Sequence, residues 1–235
     1  MANRVLTNEQ KKVNIDLWII ITATVIAFGL YVVFQNQFIS IVTNNDIHIL
    51  LRVLLAATMQ FGIAGLGISI VCLMRKESFF SYGLQSSRII LSICLCILCF
   101  VPYIIFTIAT GNFQSYLPFQ LTWTTRSVLE STFPINVIGV MITAAAWGFF
   151  EAFNYVVISE KINKLLPVKY FWLNWGAVIC AVLCILVHGA IGVTIEGFIE
   201  MLSIMMIIYG MLIVKEYTKN SWGCVFIFVF LWNAF

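Results

Sequence analysis

Charged residues are scarce in this sequence of 235 residues. Asp, Glu, Lys and Arg make up 10% of the chain, whereas they make up about a quarter of an ordinary soluble domain. Because 62% of the residues are hydrophobic, too little polar surface is left to cover a water-soluble globule, and a soluble fold is excluded. The basic residues stand in twos and threes and form no long basic patch of the kind that binds nucleic acid. We expect lipid to surround most of the chain.

The sequence also lacks internal repeats and cysteine motifs. Its seven cysteines lie in or beside apolar runs, and no Cys-x-x-Cys pair is flanked by further metal ligands. We therefore interpret the cysteines as small buried hydrophobic residues rather than as disulfides or zinc ligands. The missing repeats and the few charges inside apolar runs also disfavour a transporter or a channel.

Long apolar runs dominate what is present. A helix needs roughly 20 apolar residues to cross a bilayer core about 30 Å thick. Seven candidate runs occur, at residues 17–34, 50–74, 89–110, 135–158, 171–192, 198–214 and 222–235. The sequence therefore predicts an all-α, polytopic membrane helix bundle with about seven transmembrane helices, forming a single integral membrane domain over residues 1–235. Whether the short last run crosses fully is left open.

Positive residues are distributed unevenly between the connections. Eleven Lys and Arg residues fall on one side of the predicted membrane, and only Arg52 and Arg126 fall on the other. By the positive-inside rule, this distribution predicts a cytoplasmic N-terminus. The longest connection on the opposite side, at residues 111–134, is rich in aromatic and hydroxyl side chains. It can be an interfacial lid or a loop that faces a ligand.

Polar side chains inside an apolar run are functional candidates, because a charged group within a membrane costs several kcal/mol. Three such residues are Glu151, His188 and Asn233. A carboxylate, an imidazole and an amide oxygen on neighbouring helices can hold a divalent metal ion such as zinc, or position a water as a nucleophile. The same groups can also simply hydrogen-bond one another.

Four short motifs carry a family resemblance. They are Phe79-Phe-Ser-Tyr-Gly83-Leu84, Phe150-Glu151-Ala-Phe-Asn-Tyr155, Cys184-Ile-Leu-Val-His188 and Val229-Phe-Leu-Trp232-Asn233. In order and spacing they resemble the motifs of the CAAX-protease and bacteriocin-processing family of intramembrane endopeptidases. The resemblance covers residues 77–235, and the helices that bear its motifs lie within 135–235.

The resemblance implies a catalytic set of Glu151, His188 and Asn233. It also implies that the same three residues can serve as ligands of a zinc ion. It also implies a bacterial cell membrane, and membrane lipids and a membrane-embedded peptide or protein as partners. The chain departs from the family pattern where Phe150, Tyr155 and Val229 replace a Glu, an Arg and a second His. Because Phe and Val cannot take up a proton or bind a metal, we expect impaired or absent proteolysis. The alternative is a non-catalytic binding or regulatory protein, such as a bacteriocin-immunity or envelope-signalling factor.

A depth estimate tests whether these residues can meet. At 1.5 Å per residue, Glu151 lies about 10 Å, Asn233 about 17 Å and His188 about 25 Å from the predicted cytoplasmic ends of their runs. A shared site requires depths that agree within a few ångström. The difference shrinks if the fourth helix continues past Ser159 toward Leu166.

Overall fold

The computed structural model describes residues 6–113, 115–167, 170–189 and 191–235. Within these ranges the regular structure is entirely helical. A 3-10 turn at Phe79–Tyr82 follows the third α-helix, and a π-helical stretch at Ala144–Phe150 joins the sixth to the seventh. The α-helices are α1 (Asn8–Thr43), α2 (Ile49–Ala64), α3 (Leu66–Arg75), α4 (Ile89–Ala109), α5 (Thr125–Leu129), α6 (Ile135–Thr143), α7 (Glu151–Leu165), α8 (Trp175–His188), α9 (Ile195–Thr218) and α10 (Trp222–Phe230).

Four helical segments of the described chain are long and apolar enough to cross a bilayer. They are α1, α4, α9 and the continuous segment Ile135–Leu165, which contains α6, the π-helical stretch and α7. The pair α2 and α3 qualifies only if it is counted as one span, because it is bent by 58°. Each of the seven predicted runs contains helix, but α8 and α10 have only 14 and 9 residues. The described part of the chain is thus all-helical with four or five candidate spans, and the count of seven is not confirmed.

The main core lies among α4, α7, α8, α9 and α10. Fully buried side chains from each helix pack together there, among them Phe100, Phe153, Cys180, Met211 and Phe228. α1 packs against α2, α3 and α7 at one side of this core. The described part of the chain is therefore one bundle with a peripheral first helix.

The cysteines support the bundle as apolar side chains. All seven are free thiols. Five are buried, whereas Cys99 is partly exposed and Cys94 is exposed. The interpretation as small buried hydrophobic residues is confirmed for those five.

A buried ionic network joins α1 to α7. Lys161 Nζ lies 2.9 Å from Asp16 Oδ2 and 2.8 Å from Glu77 Oε2. Asp16 Oδ1 also accepts a hydrogen bond from Arg75 Nε at 2.7 Å, and the Tyr82 hydroxyl donates to Glu77. Lys161 and Asp16 are only 1% and 2% exposed. Lys161 lies between the predicted runs 135–158 and 171–192, but α7 continues to residue 165 and places this side chain inside the bundle.

Two of the basic residues used for the orientation, Arg4 and Lys169, lie outside the described residues.

Candidate functional site

Glu151 lies in the middle of the long segment Ile135–Leu165, as the first residue of α7. It directly follows the π-helical stretch, whose wider turns change the angular positions of the side chains around it. π-helical turns occur frequently at functional sites. The Glu151 residue is only 7% exposed, so its carboxyl group depends on neighbouring side chains for polar contacts.

Three side chains from outside α7 meet the Glu151 carboxyl group, namely Gln60, His188 and Trp232. Gln60 Nε2, on α2, donates a hydrogen bond to Glu151 Oε2 at 2.7 Å. His188 Nε2, at the end of α8, lies 3.7 Å from Glu151 Oε1. The Trp232 side chain also interacts with the Glu151 carboxyl group, and its ring packs edge-on against the His188 ring, with centroids 5.7 Å apart. The structure therefore unites two of the three predicted site residues and adds Gln60.

The ends of α8 explain the position of His188. At the start of the helix, Asn174 Oδ1 accepts a hydrogen bond from Ala177 N at 2.8 Å, and Asn163 Oδ1 on α7 accepts one from Gly176 N at 2.9 Å. At the other end, Gly189 has a φ of +64°, in the left-handed region that commonly terminates helices. These contacts fix the start of α8 against α7 and end it directly after His188.

The predicted difference in depth between Glu151 and His188 is removed by the length of α7. The helix continues to Leu165, so Glu151 lies about 21 Å from its end at 1.5 Å per residue. His188 lies about 20 Å from the first residue of α8 by the same measure. Because α7 and α8 pack against each other, the two residues come to the same level.

Asn233 takes a different position from the other two candidates. It follows α10, and its backbone carbonyl accepts a hydrogen bond from Leu121 N at 3.2 Å. Its side chain makes no hydrogen bond to Glu151 or His188. Asn233 therefore anchors the 111–134 connection to the end of the chain through its backbone.

The side chains that meet at this site can be compared with those that a zinc ion, implied by the resemblance, requires. Catalytic zinc is held by three protein ligands in most enzymes, and the structure brings together only Glu151 and His188. Within the described residues, no group of three or more His, Cys, Asp or Glu side chains is arranged to hold a metal ion. The residues present do not fit that metal.

A cavity of about 380 Å³ opens beside Glu151. Its polar side is formed by Glu151, Gln60, Asn154 and His188, and Asn154 Oδ1 is buried without a hydrogen-bond partner among the described residues. The remaining wall is apolar and rich in aromatic rings, which are Phe28, Tyr31, Phe38, Trp123, Trp147 and Tyr155. The cavity thus combines four polar side chains with an otherwise largely apolar, aromatic wall.

Trp123 bears on the two interpretations of the 111–134 connection. Its ring lines the cavity and packs against Phe38 and Tyr31, with centroid distances of 5.6 and 6.5 Å. Phe113 and Tyr116 of the same connection instead pack on Phe235. One ring of this connection therefore faces the cavity, while others contact the end of the chain.

Two of the three positions that depart from the family pattern, Phe150 and Val229, serve as packing residues, whereas Tyr155 lines the cavity. The Phe150 ring packs edge-on against Phe61, with centroids 4.8 Å apart. Val229 packs against Gly148, where an added Cβ would lie 2.4 Å from a Val229 methyl carbon. Neither side chain lines the cavity.

Sequence reasoning missed Gln60. A signal was present, because Gln60 is a polar residue inside the apolar run 50–74. Its carboxylate partner is 91 positions away in the sequence, so the pairing depends on how α2 packs against the segment that contains Glu151.

Replacing Gln60 with Leu is expected to lower the free energy of unfolding by about 2 kcal/mol, because the buried Glu151 carboxyl group loses one of its donors. Chemical or thermal unfolding of the full chain in detergent measures this change. The double variant Gln60→Leu with Glu151→Leu is expected to regain most of the loss, since neither polar group is then left unpaired. Gln35→Leu on the exposed side of α1 is the matched control and is expected to change stability little. If Gln35→Leu lost as much stability as Gln60→Leu, the assigned contact between Gln60 and Glu151 would be contradicted.

Comparison with protein-family models, curated proteins and solved structures finds no match to this chain. Membership of the CAAX-protease and bacteriocin-processing family therefore stays a prediction from motif order.

Proposed function

We propose that this chain is an integral membrane protein that binds a membrane-embedded peptide or protein segment in the cavity beside Glu151, without cleaving it. One observation carries the proposal: a buried carboxyl group, contacted by Gln60 and His188, stands at the polar side of an apolar chamber. Such a chamber suits a ligand that is mostly apolar and carries a few polar groups.

The unpaired oxygen of Asn154 indicates that the ligand carries a hydrogen-bond donor. Asn154 Oδ1 is buried in the cavity wall without a partner, and an unsatisfied buried acceptor costs about 1–3 kcal/mol. A ligand that brings an N–H group to this oxygen removes the cost. Peptide segments carry N–H groups at every residue except proline, and an irregular turn within a membrane leaves some of them free.

The groups around Glu151 support the proposal that the ligand is not cleaved. Peptide hydrolysis needs an activated water and donors that stabilise the oxyanion. Glu151 Oε2 already accepts from Gln60, and Phe150 and Val229 supply neither a base nor a donor. A second candidate function is that of an intramembrane endopeptidase. It is supported by the 3.7 Å separation of Glu151 and His188, because these two groups can position a water between them.

We further propose that all seven helical segments lie in a bacterial cell membrane, with a cytoplasmic N-terminus. The distribution of eleven against two positive residues supports this orientation. The shorter α8 and α10 then lie within the bundle and rely on neighbouring helices for part of their depth.

Photo-crosslinking in the host's own membranes tests the function. A photoreactive residue at Leu183, in the cavity wall, is expected to give a discrete adduct that weakens in the Asn154→Leu variant. The matched control is Leu98, exposed on α4 and outside the cavity wall, where only lipid adducts are expected. Adducts of equal strength at both positions would contradict the binding proposal.

The captured partner separates the two candidate functions. If the chain only binds, the partner keeps the same length whether the full chain is wild type or carries Glu151→Ala with His188→Ala. A partner shortened by the wild type alone would establish the endopeptidase and overturn the non-catalytic proposal.

A further inference from the structure

Arg52 is a buried cation in the first turn of α2. The residue is only 5% exposed. Its Nη1 donates a hydrogen bond to Asn45 Oδ1 at 2.9 Å, which leaves the opposite edge of the guanidinium, formed by Nε and Nη2. Nε is buried without a hydrogen-bond partner, and no hydrogen bond joins Nη2 to a described residue. One edge of this side chain therefore carries donors that the described chain does not use.

The other buried cations of the described chain show what Arg52 lacks. Lys161 has carboxylates of two acidic residues within 3.0 Å, and so does Lys215. No carboxylate of the described residues lies within 4.0 Å of Arg52. Asp46, in the turn before α2, is exposed and does not pair with it. Because an arginine keeps its charge at physiological pH and a buried charge without a partner is costly, the environment of Arg52 is incomplete.

The free edge has a defined chemistry. The parallel N–H groups of a guanidinium match two oxygens of a phosphate group in a bidentate arrangement. The N-terminus of the 16-residue helix α2 adds a favourable field for an anion at the same end. We propose that a phosphate-type oxyanion binds to the Nε and Nη2 edge of Arg52.

The site is separate from the Glu151 cavity. Gln60, which contacts Glu151, lies eight residues further along α2, which corresponds to about 12 Å. Arg52 stands where the apolar run begins, at the level at which lipid phosphates meet a transmembrane helix. Either the phosphate of an anionic lipid or inorganic phosphate from the water phase supplies the required oxygens.

Thermal unfolding of the full chain in lipid nanodiscs tests this site. Three conditions are compared: a neutral glycolipid that has no phosphate group, the same glycolipid with phosphatidylglycerol, and the same glycolipid with inorganic phosphate in the buffer. The wild type is expected to unfold at a higher temperature in at least one of the two anionic conditions. Arg52→Gln is expected to lose this rise, whereas Arg126→Gln, the same change of charge at an exposed position, is expected to keep it.

The condition without an anion shows whether a variant is folded, independently of anion binding. In the phosphate-free glycolipid alone, Arg52→Gln is expected to be at least as stable as the wild type, because it removes an uncompensated buried charge. Arg52→Lys keeps the charge but loses the bidentate edge, and its apparent affinity for the anion is expected to fall about 10- to 100-fold.

The two anionic conditions distinguish a lipid headgroup from a free anion. A rise with phosphatidylglycerol alone assigns the site to a lipid headgroup, and a rise with inorganic phosphate as well assigns it to the free anion. A rise of equal size in Arg52→Gln, or no rise in the wild type under either anionic condition, would overturn the proposal.

Discussion

Replacing Lys161 with Met is expected to lower the free energy of unfolding by about 3–5 kcal/mol, because the substitution removes the buried cation that Asp16 and Glu77 share and leaves Asp16 with Arg75 alone. Lys161 Nζ lies within 3.0 Å of both Asp16 and Glu77, and Asp16 is almost fully buried. Methionine fills a similar volume, so the loss reports the missing charge rather than a cavity. Unfolding of the full chain in detergent micelles measures the change.

Lys164 is the matched control for this prediction. It lies one turn further along α7 and pairs with Glu160 at 3.5 Å, with half of its side chain exposed. Exposed pairs of this spacing contribute about 0.3–0.5 kcal/mol, so Lys164→Met is expected to change stability only slightly. Equal losses in the two variants would show that the network around Lys161 does not stabilise the fold as argued.

The acid dependence of stability is a second readout of the same network. Burial raises the pKa of Glu77, but the hydrogen bonds from Lys161 and Tyr82 outweigh it, and the pKa of this carboxyl group lies below its ordinary value. Such a group stabilises the fold above its unfolded pKa, and this contribution is lost as the pH falls through the folded pKa. In Lys161→Met the acid-induced loss of stability is expected to be smaller than in the wild type.

Membrane character and the helical class could be predicted from composition, but helix lengths could not. The run 171–192 is long enough to span, yet α8 occupies only Trp175–His188 within it. Asn174 and Gly189 bound that helix, and they do so through a side-chain cap and a left-handed backbone angle. An apolar run reports where lipid or core is tolerated, whereas helix ends depend on capping contacts.

The site was predictable to the extent that polar residues in apolar runs stand out. Glu151 and His188 were found in this way, and Gln60 and Arg52 obey the same criterion inside the run 50–74. What a single sequence cannot supply is which of these residues meet. Gln60 reaches Glu151 across 91 positions, and the orientation of the latter depends on a π-helical stretch between Ala144 and Phe150.

Replacing Gly176 with Ala is expected to destabilise the fold by about 3 kcal/mol and to separate His188 from Glu151. A Cβ at this position would lie 2.2 Å from the Ser159 carbonyl oxygen on α7. Because the obstructing atom belongs to the backbone, a side-chain rotation does not relieve the clash, and α7 and α8 must move apart. His188 is carried by α8 and Glu151 by α7, so their separation of 3.7 Å is expected to increase.

Gly29→Ala on α1 is the matched control, because an added Cβ there has no atom within 4 Å. It is expected to leave stability unchanged or to raise it by about 0.5–1 kcal/mol, since Ala favours a helix interior over Gly. The same two variants are compared by unfolding and by the crosslinking yield at Leu183. If the cavity binds its ligand through the packed α7 and α8 pair, Gly176→Ala loses both stability and adduct, whereas Gly29→Ala keeps both. A stable Gly176→Ala variant with full crosslinking would show that the close contact of the two helices does not position the site.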